Sequence, residues 1–326
     1  MIDPLLAMRA IHFAATVMAA GAALFAWLVA EPAFRTRADA RLRAFNLFRS
    51  RLSVLLLVSL ALAVVSGAGW WLLLAGRIGD QPLGEAITDG TAWIVLTQTR
   101  FGIDWQLRLL LAGLLAACVL LKPSSPSRWR DLLAASGGIA FVATLAWAGH
   151  GGATSGNAGY VHLVADVFHL CAAGAWLGGL VPLVLLLGSL RRSGEPGGLL
   201  VAVTAAGRFS NLGIMAVGTL LVSGVINAWF LVGGAVNLTS TDYGRLLELK
   251  IALFVAMVCL AAANRLHLMP QLSRAAESGA SDLVTETARR LERNALLELS
   301  IGLVIICIVA VLGVTPPATE AHVHVH

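Results

Sequence analysis

The chain has 326 residues, of which 58% are hydrophobic and 13% charged, with a formal charge of +5; its mean hydropathy is +0.82. Soluble domains carry about a quarter charged residues, so the composition excludes a soluble globule and specifies a polytopic membrane protein. The positive balance does not point to nucleic acid, because the basic residues are dispersed among loops, where they fix membrane orientation.

A membrane-crossing helix needs about 20 apolar residues. Eight runs qualify: Leu5–Val29, Leu52–Ala75, Trp105–Leu121, Leu132–Ala148, His162–Leu187, Leu212–Val232, Leu246–Ala263 and Leu296–Val314. The predicted fold class is therefore all-α, a single bundle of eight transmembrane helices over residues 1–326. The first run is too long for a cleavable signal and is followed by arginines, so it reads as a retained helix. The loop after it holds Arg35, Arg37, Arg41, Arg43, Arg49 and Arg51; Lys122, Arg128 and Arg130 follow the third run. Arg191, Arg192 and Arg208 follow the fifth, and Arg265, Arg274, Arg289, Arg290 and Arg293 the seventh, so 17 of the 23 basic residues share one side. The alternate loops carry Asp80, Glu85, Asp89 and Asp242. The positive-inside rule then turns both termini outward.

The longest outer connection, Gly76–Asp104, reads as turns with a short interfacial helix around Trp93. On the inner side Pro270–Arg293 reads as an amphipathic helix with Glu and Arg at helical spacings. The four cysteines, Cys118, Cys171, Cys259 and Cys307, lie inside apolar runs and do not suggest a disulfide framework. Gly174, Gly178 and Gly179 suit close helix packing. Pro182 is expected to kink the fifth helix, and Asp104, Arg108 and Arg100 to form ion pairs at an outer interface. His267 is expected to be an interfacial residue on the inner side.

The fifth run holds the main chemical signal. His162, Asp166 and His169 fall at i, i+4 and i+7, one face of a helix over two turns. Ionisable groups at membrane depth are costly and mark partners or function. With the orientation above, His12 on the first run and His150 in AGHGG reach the same outer half, so four of the eight histidines share one depth. Asn227 and Trp229 on the sixth run lie at a similar level. A lone intramembrane histidine is commonly a packing residue; the shared depth favours a metal site formed by His12, His150, His162, Asp166 and His169. Imidazole and carboxylate suit Cu(II), Zn or Ni, and thioether or thiol would shift the preference to Cu(I); Asp166 either ligates or orients an imidazole. Met8, one turn above His12, and Cys171 are weaker candidates. So are His322, His324 and His326 in the closing AHVHVH, whose alternation puts three imidazoles on one side of an extended tail, 315–326. Trp176, two turns below His169, is a packing residue or the floor of the site.

The run DVFHLCAAGAWLGGL, Asp166 to Leu180, resembles the corresponding segment of the bacterial copper resistance protein D family. The likeness extends to RAIHF around His12, FGIDWQLR, AGHGG, ANRLHLMP and a closing GVTPPA, in the same order along the chain. The resemblance implies an inner-membrane protein that moves copper from periplasm to cytoplasm, with both termini periplasmic and a separate periplasmic CopC-like copper-binding partner. Carried over, the site positions are His12, His150, His162, Asp166 and His169. No nucleotide-binding loop or large cytoplasmic domain is present in the sequence, so a primary pump is not expected. The alternative is a haem b or metal oxidoreductase in which histidines on facing helices, such as His12 and His169, ligate iron axially. A third reading is an assembly factor that binds no metal.

Overall fold

The computed structural model describes residues 3–35, 43–121, 128–149, 156–193 and 198–319. Among the described residues eight helices are long and apolar enough to cross a membrane, as predicted, and most extend beyond the apolar runs. They are α1 (Pro4–Phe25), α2 (Arg43–Gly79), α3 (Arg100–Leu120), α4 (Arg128–Ala143), α5 (Gly156–Ser193), α6 (Gly198–Val232), α7 (Asp242–Ala263) and α8 (Ser281–Leu312). Among the described residues there is no strand. α1 opens on a local signal: the Asp3 carboxylate accepts from the Leu5 N–H and Pro4 occupies the first turn, where its missing N–H costs nothing.

Two helices contain a widened π-turn. α1 continues through Ala26–Ala30 to a short segment ending at Arg35, and α7 continues through Asn264–Leu268 into Met269–Glu277. Each π-turn ends two residues before a proline, Pro32 and Pro270. A proline inside a helix removes a hydrogen bond and crowds the carbonyl four residues back, and the wider turn absorbs the mismatch. Pro182, in contrast, sits within a helix that runs unbroken from Gly156 to Ser193.

The Gly76–Asp104 connection forms two short helices, Leu83–Thr88 and Thr91–Gln98; the second carries Trp93, as expected. The Pro270–Arg293 expectation needs correction. Its first part is the short helix Met269–Glu277, the chain then turns at Gly279 with φ 69°, and Ser281–Arg293 already belongs to α8. The polar first turns of α8 obey the same 3.6-residue period as a surface helix, so periodicity alone could not find that break.

α1 and α5 form the centre of the bundle. α5 packs against α1, α6, α8, α2 and α4, and α1 against α2, α5, α4 and α8. They cross where Gly21 meets Gly178: a Cβ on Gly178 would overlap the Val17 carbonyl and the Gly21 backbone. Small residues let two backbones meet this closely, and in lipid that packing is a main source of helix association. α7 is the peripheral extreme, with 6% of its most apolar stretch buried against 72% for α1. The outward faces carry rows such as Val54, Val58, Leu62 and Val65 on α2, which are exposed and suited to acyl chains. The end of the bundle where α1 begins and α8 finishes is the terminal end. There Arg77 of α2 pairs with Asp3, and Gly313 lies against the Arg9 guanidinium.

Candidate functional site

The helical stripe on α5 meets α6 in the half of the bundle nearer the terminal end. The Asp166 carboxylate accepts from Asn227 Nδ2 at 3.1 Å, while Asn227 Oδ1 is buried without a hydrogen-bond partner. An orphaned buried acceptor is uncommon, and one beside a carboxylate is suited to a cation. His169 Nδ1 lies 3.0 Å from Ser223 Oγ of α6. Ser223 already donates its single hydrogen to the Thr219 carbonyl at 2.6 Å. In the neutral ring Nδ1 therefore carries the hydrogen, which leaves the Nε2 lone pair available to a metal. Gly224 leaves the room His169 occupies; a Cβ there would sit 3.6 Å from His169 Cε1.

His162 completes the stripe, buried and stacked on Phe230 of α6 at 5.0 Å between ring centroids. A Cβ built on Gly149 would lie 4.0 Å from Asp166 Oδ2, so the AGHGG segment begins beside the carboxylate. His150 itself, with His322, His324 and His326, falls outside the described residues. α7 adds two groups the sequence reading passed over: Lys250 acts electrostatically on Asp166 and His169, and Asp166 acts on Tyr243. Lys250 supplies Asp166 with a counter-charge across the α5–α7 gap. The signal was present, since Lys250 is a cation inside an apolar run.

The other expected ligands go elsewhere. His12 is fully buried, with Nδ1 2.9 Å from the Ala63 carbonyl and Nε2 3.2 Å from Arg108 Nη1. A carbonyl only accepts and a guanidinium only donates, so the network defines a neutral ring whose two nitrogens are both engaged. Trp70 and Trp105 flank it edge-on, each at 5.8 Å. Arg108, 1% exposed, pairs with Asp104 and donates to Thr144 Oγ1 at 3.1 Å and the Thr144 carbonyl at 2.9 Å. The expected Asp104–Arg108 pair thus exists, buried in the interior of the bundle. Met8 packs its sulfur against Gly69 of α2, and Cys171 Sγ faces the Ile139 carbonyl of α4 at 4.0 Å. Trp229, 77% exposed, points away from the site. Among the described residues, no three His, Cys, Asp or Glu side chains stand together as a ready metal cluster. The structure joins Asp166 to Asn227 and His169 to Ser223, one turn apart on the same pair of helices, keeps His162 on the same stripe, and gives His12 different partners.

The family model for the N-terminal domain of copper resistance protein D-like chains matches residues 1–160, and the copper resistance protein D model matches residues 203–312. Copper resistance protein D of Pseudomonas syringae pv. tomato is 34% identical over 323 residues, covering 98% of this chain and 99% of the relative. The chain belongs to the copper resistance protein D family. Inner membrane protein YebZ of Escherichia coli (strain K12) is 30% identical over 322 residues, 96% of this chain and 98% of that one. Copper transport protein CutJ of Bacillus subtilis (strain 168) is 29% identical over 276 residues, which cover 82% of this chain and 44% of that longer relative. No solved structure matches. These likenesses and the eight apolar helices make this family member a multi-pass inner-membrane protein. Most of α5 lies between the two family models, so its likeness rests on the whole-chain relatives.

Proposed function

We propose that this protein binds copper between α5 and α6 and passes it across the inner membrane from periplasm to cytoplasm. Membership of a copper resistance family supports copper as the substrate, and the name of the Bacillus relative supports transport. The observation that carries the site is the Asp166–Asn227 pair, a carboxylate beside an unpartnered amide oxygen, with His169 one turn further along α5 and its Nε2 lone pair available. Oxygen and imidazole donors of this kind suit Cu(II), with His162 and His150 as the nearest further imidazoles. Ser223 fixes the His169 tautomer, as an outer partner of a ligating histidine does. Lys250 holds the charge of Asp166 in balance when the site is empty and must yield when a cation arrives.

The orientation proposed is the one the loop arginines favour, with both termini in the periplasm. The site then opens outward, where a separate CopC-like protein would deliver copper and the histidine tail would assist its capture. No observation favours the oxidoreductase reading, and a haem held by His12 and His169 would require the His12–Arg108–Ala63 network to be dismantled first.

The test is copper binding by the purified protein truncated after residue 320, with the visible spectrum recorded alongside. About one copper per chain is expected, with His169→Ala and Asp166→Asn each weakening affinity by at least the roughly 10- to 100-fold that even outer partners contribute. Unchanged affinity in both variants, or a haem spectrum, would overturn the assignment.

A further inference from the structure

A second buried polar group lies deeper in the bundle. Glu298 of α8 is 3% exposed and accepts from Asn264 Nδ2 at 2.8 Å, and the Trp176 indole lies beside the same carboxyl. Asn294 in turn donates to Asn264 Oδ1 at 2.6 Å. Asn264 is 8% exposed and opens the π-turn of α7, and π-turns recur at functional sites. Trp176 lies ten residues beyond Asp166 on α5, about 15 Å further from the terminal end. One helix therefore connects the candidate copper site to this carboxyl.

The partners of Glu298 are all neutral. Trp176 faces it from α5 and Asn264 from the π-turn, with Asn294 behind. Among the described residues no ion pair includes Glu298. The cations on the surrounding elements are directed elsewhere: Arg293, five residues before Glu298 on α8, and His267 are exposed, Arg265 binds Ser210 and Asn211, and Arg191 binds Glu292. The contrast with Asp104 and Asp166 is plain, because Asp104 pairs with Arg108 and Asp166 lies within electrostatic reach of Lys250. A carboxylate taken out of water without a counter-charge is strongly unfavourable, and neutral partners do not offset that cost. Such a group is stable in two ways: carrying a proton, or holding a cation.

We infer that Glu298 is a proton–cation exchange station on the path of the transported ion, so that copper movement is coupled to proton movement in the opposite direction. When copper reaches the carboxyl from the terminal end, the O–H bond breaks, the carboxylate oxygen takes the metal, and the proton leaves toward the terminal end. When copper departs toward the opposite end, one proton returns from that side. No electron changes hands. The inference rests on the transport reading and adds the coupling ion to it.

The experiment uses the full chain in proteoliposomes, with copper added as Cu(II) and, under reductant, as Cu(I), and with an internal pH dye and metal counting. Wild type is expected to move protons against copper in fixed ratio. Glu298→Gln is expected to keep terminal-end copper binding and lose the proton signal, and Glu298→Asp to retain it. Wild-type stoichiometry in Glu298→Gln overturns the exchange, as does copper flux in wild type with no proton movement. Failure of wild type to bind copper overturns instead the Asp166–His169 site, and retained binding without flux overturns transport, so the failures are distinguishable.

Discussion

Removing Arg108 tests whether His12 belongs to the copper site or to the scaffold. The Arg108→Ala change takes a 1% exposed guanidinium out of the α1–α3–α4 junction. It leaves the Asp104 carboxylate, 11% exposed, without its partner, and the Thr144 carbonyl and His12 Nε2 without their donor. Breaking a buried pair by removing one member costs about 3–5 kcal/mol, chiefly because a charge is left buried alone. Arg108→Leu combined with Asp104→Leu removes both charges and is expected to recover most of the loss. The assay is reversible unfolding of the full chain in mixed micelles, read by tryptophan fluorescence. Copper affinity should stay at the wild-type value in Arg108→Ala, since no hydrogen bond joins this network to Asp166 or His169 among the described residues. A loss below about 1 kcal/mol, the range of an exposed pair, would refute the burial argument. A large fall in copper affinity would return His12 to the site.

Two further outcomes follow from the packing and the terminal-end ion pair. Gly178→Ala should sharply reduce folded protein, since its Cβ would overlap the Val17 carbonyl, whereas Gly174→Ala should be tolerated with its nearest neighbours at 3.6 Å; equal yields would refute the close α1–α5 crossing. Hydrogen bonds from Arg77 and the Leu5 N–H hold the Asp3 carboxyl below its ordinary value of 3.8. That stabilisation is present above 3.8 and lost as pH falls through the lower folded value, so the small stability gap between wild type and Asp3→Asn should close in acid. A gap that widens in acid would contradict the sign.

The eight spans were legible because a membrane helix is a local, one-dimensional signal: about 20 apolar residues suffice, whatever they touch. The glycines at 174, 178 and 179 and the His162–Asp166–His169 stripe were legible for the same reason, since helical spacing fixes which side chains share a face. Depth was legible too, and it brought Asn227 to the level where it meets Asp166. What depth lacks is azimuth. His12 shares the depth of Asp166, yet the rotation of α1 turns its ring to Ala63 and Arg108.

Only the tertiary structure decided the partners. Lys250 and Glu298 stand in the sequence as charges inside apolar runs, a sign of function without direction. The packing of α5 against α6 and α8, and of α7 against α8, set one within electrostatic reach of Asp166 and left the other with neutral partners alone. Burying a polar atom is costly unless another group meets it, and which group does so depends on how helices distant in sequence turn toward each other. The sequence by itself determined that this chain is an eight-helix membrane bundle with ionisable groups at its core. The rotation and close approach of α1, α5 and α6 determined which of those groups can share an ion.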